Sequence, residues 1–171
     1  FYLLSYLCLH KFAAAKVHLM LYQLQKLSSE EQTSVKRSPI WVTLLVACAD
    51  FDIQEKEIDR AKEIIHIRSY ALQSDLKNLY EELDADIEQE IDQALAAIPA
   101  GGKDRIQYLE EKISELNSIF SKLDYTFYKQ LYTSLKSLAV AVAQSDGGLF
   151  GIGRISDEEE RYISLPMLKK P

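Results

Sequence analysis

The first 27 residues contain neither Pro nor Gly, and apolar side chains would cover most of the circumference of a helix built from them. One long helix is expected there. A polar stretch follows from Leu27 to Arg37. Ser38-Pro39 then sets a capping hydroxyl before a proline at a first helical position, where its missing N–H costs nothing. A helix is expected to start at that pair, run through Ile40 to Ala49 and end near Asp50. Beyond a short acidic turn, Ile58, Ala61, Ile65 and Arg68 recur at the spacing of a helix with one buried face. Leu83, Ile87, Ile91 and Leu95 follow at intervals of four, with Ile98 three further on, until Pro99-Ala100-Gly101-Gly102 breaks the chain. After the break, Ile106, Leu109, Ile113, Leu116, Ile119/Phe120 and Leu123 form one amphipathic stripe, and Tyr128, Leu131, Leu135, Leu138 and Val142 form another. A coiled coil and a helical bundle use the same stripe, and bundle packing is the expectation at this length.

Composition agrees with the pattern. A chain of 171 residues with 47% hydrophobic side chains can bury a sizeable core, as one domain or two very small ones. Six Gly and four Pro are too few for a turn-rich β fold, so the expected class is all-α, a compact helical bundle. Cys8 and Cys48 lie far apart in apolar surroundings and offer neither metal-ligand spacing nor a disulfide framework, which makes a reducing compartment the default.

Charge is unevenly spread. Residues 1–38 carry five Lys/Arg against two Glu, and residues 39–171 carry fifteen against twenty-four Asp/Glu. An acidic body repels phosphate backbones, so no nucleic-acid partner is expected; metal cations and basic proteins suit it better. In the apolar N-terminal segment, His10, Lys11, Lys16 and His18 interrupt the middle, which argues against a membrane span. No basic region precedes the apolar run and no small-residue cleavage site follows it, so a secretory signal is a poor match. Burial in the fold or in an oligomer, and a basic helix lying on a membrane surface, remain as alternatives. Lacking an initial Met, the chain reads as a fragment or a processed product.

Two stretches repeat. Leu44-Leu45-Val46-Ala47-Cys48-Ala49-Asp50 lies over Val140-Ala141-Val142-Ala143-Gln144-Ser145-Asp146, with small residues and a closing aspartate in register. After the turn, Ile53-Gln54-Glu55-Lys56-Glu57 lies over Ile155-Ser156-Asp157-Glu158-Glu159, and the second copy carries six extra residues drawn from Gly147 to Arg154. The unit is an alanine-rich helix, an aspartate turn and an acidic helix start. Small residues allow close packing, the aspartate accepts from backbone donors, and carboxylates suit the next helix N-terminus. Ser156 with Glu159 is an expected capping box; in the first copy either Asp52 with Glu55 forms the equivalent box or Gln54 caps weakly in the aligned register.

These segments, ACADFDIQEKE and AQSDGGLFGIGRISDEEE, resemble the paired signature of the TerB-like tellurite-resistance family over about residues 38–171. The resemblance implies an all-helical domain (38–171, repeats near 39–68 and 135–168) behind an N-terminal helix and linker (1–37). It implies a non-enzymatic binding or adaptor role in a bacterial stress or tellurite-resistance system, in the cytoplasm and at the inner face of the membrane, with a protein partner and peripheral membrane contact. By position, Asp50, Glu57, Asp146, Glu158 and Glu159 are the implied ligands of a divalent cation of the calcium or magnesium type. The chain departs from the family pattern at Phe51, at Lys56 and in the glycine-rich insertion.

Each carboxylate also has a capping role that needs no metal. Neither turn is an EF-hand: counting from Asp146, Gly148 and Phe150 stand where oxygen ligands are needed, and from Asp50 the twelfth position is Ala61. The Gly147–Gly153 loop follows a helix and lacks the Gly-Lys-Ser/Thr ending of a phosphate loop. Its Leu149, Phe150 and Ile152 point either to core burial or to a partner. His10, His18 and His66 form no metal pair, and no Gly-x-Ser-x-Gly elbow supports catalysis. No enzymatic activity is expected. A metal-free helical interaction or membrane-docking module is the alternative, and an unrecognised hydrolase the remoter one.

Overall fold

The computed structural model describes residues 22–49, 53, 55–72, 75–146 and 157–171, with backbone alone for 146 and 157–159. The described residues form helices and no strand: α1 (Ser29–Ala47), α2 (Glu55–Ala71), α3 (Leu76–Ala85), α4 (Ile87–Ala97), α5 (Gly102–Phe120), α6 (Tyr125–Ala143), a 3₁₀ turn (Gln144–Asp146) and α7 (Asp157–Ile163). The expected all-α bundle is the observed class.

The start of α1 corrects the expectation at Ser38-Pro39. Ser28 caps the helix ten residues earlier: its hydroxyl accepts from the Glu31 amide at 3.2 Å, and the Glu31 carboxylate accepts from the Ser28 amide at 3.0 Å. Lys122 also donates to Glu31, tying the cap to the turn after α5. Pro39 sits inside the helix and leaves the Val35 carbonyl without its i+4 amide donor. The Ser38 hydroxyl, itself buried, donates to that carbonyl at 2.7 Å, so the proline is accommodated without an orphaned acceptor. The polar stretch is therefore helical from Ser29 onward. Residues 22–24 are helical before the Ser28 cap, and the rest of the expected N-terminal helix lies outside the described residues.

α1 is the centre of the molecule. It packs against α5, α6, α2, α4, α7 and α3, and every residue from Val42 to Ala49 is buried. That is why Ile40–Ala49 is apolar around the whole helix: a helix surrounded by neighbours has no solvent face to keep polar. α5 and α6 behave differently. Their stripes Ile106, Leu109, Ile113, Leu116 and Phe120, and Leu131, Leu135, Leu138 and Val142, are buried as read, with polar faces outward. Bundle packing, rather than a coiled coil, uses them.

The apolar series from Leu83 to Ile98 is divided between two helices. Steps of four residues on a 3.6-residue helix advance by about 40° each, so the three steps from Leu83 to Leu95 rotate the apolar row by roughly 120°. A break at Asp86 (φ −123°, ψ 21°) restarts the helix and re-aims the row, α3 burying Leu79, Tyr80 and Leu83 and α4 burying Ile91 and Ala94. The break at Pro99–Gly101 is as expected, and Arg105 donates to the Pro99 and Ala100 carbonyls across it. At the C-terminal end, Asn117 donates to the Met167 carbonyl at 2.8 Å and accepts from the Lys169 amide at 2.7 Å. This holds the tail on α5 and seats Leu165 and Leu168 in the core.

Candidate functional site

The two sequence units occupy α1–α2 and α6–α7. The alanine-rich helices α1 and α6 pack directly on each other, and their small-residue ends, Ala47 to Ala49 and Ala139 to Ala143, contribute six fully or nearly fully buried positions: Ala47, Cys48, Ala49, Ala139, Val142 and Ala143. Small side chains permit that close approach of two backbones. Within each unit the helices touch, α1 with α2 and α6 with α7, and across the units α2 packs on α6 and α7 packs on α1. The 3₁₀ turn that ends the second alanine-rich helix packs against α2, the acidic helix of the first unit.

Of the expected metal ligands, Glu57 is fully described. It stands in the first turn of α2 and is 3% exposed, an unusual position for a carboxylate, which is almost never fully buried without compensating partners. Asp146 closes the 3₁₀ turn, and Glu158 and Glu159 belong to the first turn of α7; their side chains are outside the description, as is all of Asp50. The expected capping boxes, which need Asp52 and Ser156, and the glycine-rich loop also lie outside the described residues. Among the described residues, no three His, Cys, Asp or Glu side chains gather as a metal-holding group. Among the same described residues, no helix is long and apolar enough to cross a membrane.

A polar network missed from the sequence joins the two units. Arg68 of α2 donates from Nη1 to the Tyr80 hydroxyl (2.9 Å) and to the Ser134 carbonyl and hydroxyl (2.9 and 3.0 Å), and from Nη2 to the Ser137 hydroxyl (2.8 Å). Tyr80 and Ser134 share a further hydrogen bond of 2.8 Å, and the guanidinium lies 5.4 Å from the centre of the Tyr80 ring. The signal available was Arg68 itself, a charge at a stripe position where Ile58, Ala61 and Ile65 call for an apolar residue. His66 is largely exposed; its Nδ1 lies 2.9 Å from Asp84, which also accepts from Ser69.

Compared with known protein families, with curated proteins and with solved structures, the chain matches none.

Proposed function

We propose that this chain is a non-enzymatic binding or adaptor domain of the TerB-like kind, serving a bacterial stress or tellurite-resistance system in the cytoplasm. Its working part is the junction of the two helix–acidic turn–helix units, where a divalent cation of the calcium or magnesium type bridges Asp50 and Glu57 of one unit to Asp146, Glu158 and Glu159 of the other. The observation that carries this reading is the packing pattern. Among these four helices, exchanging α1 with α6 and α2 with α7 leaves the set of contacts unchanged: the alanine-rich pair touch each other, each touches its own acidic helix, and each touches the acidic helix of the other unit. A pseudo-twofold pairing of the sequence repeats predicts that pattern. Glu57 is buried in the first turn of α2, and the 3₁₀ turn ending at Asp146 packs against the same helix, which supports a shared acidic junction more than two independent caps.

The test is a titration of the full chain with calcium, magnesium, manganese and zinc, followed by calorimetry and Trp41 fluorescence. Saturable binding of at least one hard cation is expected, and the double substitution Asp146→Asn with Glu159→Gln should weaken it. Absence of heat and of spectral change with all four metals would end the cation-binding reading.

A further inference from the structure

Eleven residues beyond Glu57, about 16 Å along α2, a cavity of about 600 Å³ opens between the α2–α3 corner and the outer face of α6. Its size falls within the range of about 300–1,000 Å³ usual for small-molecule sites. Leu72 and Leu76 form one wall, Lys129, Thr133 and Ser134 lie opposite, and Arg68 lines it as well. The site stands apart from the acidic turns and has the opposite charge.

Arg68 sets its chemistry. Every partner of the guanidinium is neutral, and Nε–H and one Nη2–H have no acceptor among the described residues. No described carboxylate lies within ion-pair distance of Arg68 or Lys129, whereas Lys36, Arg37, Lys62 and Lys112 each have one. A part-buried guanidinium without a counter-charge is electrostatically incomplete, because desolvation penalises a charge that nothing opposite compensates. Its hydrogen bonds to Tyr80, Ser134 and Ser137 already hold it in place, so an incoming anion would not have to order it.

The geometry points to a binding site for a small amphipathic carboxylate. The two remaining N–H donors of Arg68 match the two oxygens of one carboxylate, Lys129 adds a second positive charge at the rim, and Leu72 and Leu76 receive the hydrocarbon body. A basic peptide is repelled by the same two cations, and an uncharged alkyl chain leaves them uncompensated.

Calorimetric titration of the full chain with octanoate, octanol and acetate tests the assignment. Octanoate should bind saturably, with octanol and acetate each weaker by at least about tenfold, the loss expected for removing a charge-assisted hydrogen bond or the apolar body. Arg68→Gln should weaken octanoate by a similar factor. Because Arg68 also ties α2 to α6, Thr133→Trp provides an independent arm: Thr133 is exposed, lines the cavity and is not a hydrogen-bond partner of Arg68, so the larger ring fills the site while every residue of the Arg68 network is kept. Abolished octanoate binding in Thr133→Trp supports the site. No saturable octanoate heat, octanol binding as tightly as octanoate, or unchanged octanoate affinity in Thr133→Trp would each overturn it.

Discussion

The helices α1 and α6 are equal in length at 19 residues and pack on each other, yet they are built on different plans. From Val42 to Ala47, α1 is buried on every side, and its two buried hydroxyls serve carbonyls of the same helix: Ser38 donates to the Val35 carbonyl and Thr43 to the Pro39 carbonyl. α6 buries one stripe and presents the other, where Thr126, Lys129, Gln130, Thr133, Ser134 and Ser137 line a cavity. The first of these helices is committed to holding the fold together. The second divides its surface between the core and a solvent-facing side, so two segments with similar sequence texture differ according to how many neighbours surround them.

The largest expected effect separates the two plans directly. Leu44→Ala in α1 removes a fully buried side chain at the most crowded part of the core and should cost about 2–5 kcal/mol by chemical denaturation. Thr133→Ala on the outer face of α6 should change stability by about 0.5 kcal/mol or less. Equal costs at the two positions would mean that the outer face of α6 is not a surface at all.

A smaller contrast lies in two buried tyrosines. The Tyr80 hydroxyl bonds with Arg68 and Ser134, whereas the Tyr132 hydroxyl on α6 is buried with no partner among the described residues. Tyr80→Phe should therefore lose about 1–2 kcal/mol, and Tyr132→Phe should be neutral or stabilising, since it removes a hydroxyl that burial penalises. Denaturation midpoints of the two variants measured side by side decide the point.

The smallest effect concerns the α1 cap. The hydrogen bond from Lys122, helped by the Ser28 amide and opposed by desolvation, holds the Glu31 carboxyl below its ordinary value of 4.5. A depressed folded-state pKa adds stability that is complete above the unfolded value and is lost as pH falls through the lower folded value. Lys122→Gln should thus reduce melting temperature slightly at pH 7, with the difference from the wild type shrinking as pH falls below 4.5. A difference that is the same at pH 7 and at strongly acidic pH would remove Glu31 from the account.

What could be read in advance follows the same division. The stripes of α5 and α6 were legible because one-sided burial writes itself as a period, and the Pro99–Gly102 break because proline and glycine act locally. The true start of α1 was harder. Ser28-x-x-Glu31 is a visible capping box, but accepting it requires knowing that the Ser38 hydroxyl can serve the Val35 carbonyl that Pro39 abandons. Arg68 was visible as a charge on an apolar stripe, whereas its Ser134 and Ser137 partners lie 66 and 69 residues away and no local pattern announces them. For the proposed acidic junction, the carboxylates were legible as residue types, and the packing of α2 against the turn at Asp146 is a tertiary fact absent from any window of sequence.

The central claim is that the two acidic turns act as one site, and substoichiometric manganese added to the ¹⁵N-labelled chain tests it most directly, through paramagnetic broadening of amide resonances. Amides flanking Glu57 and amides flanking Asp146 should broaden together, at the same metal concentration. Broadening confined to one of these turns, or scattered over the exposed acidic residues of α4 and α5, would contradict it.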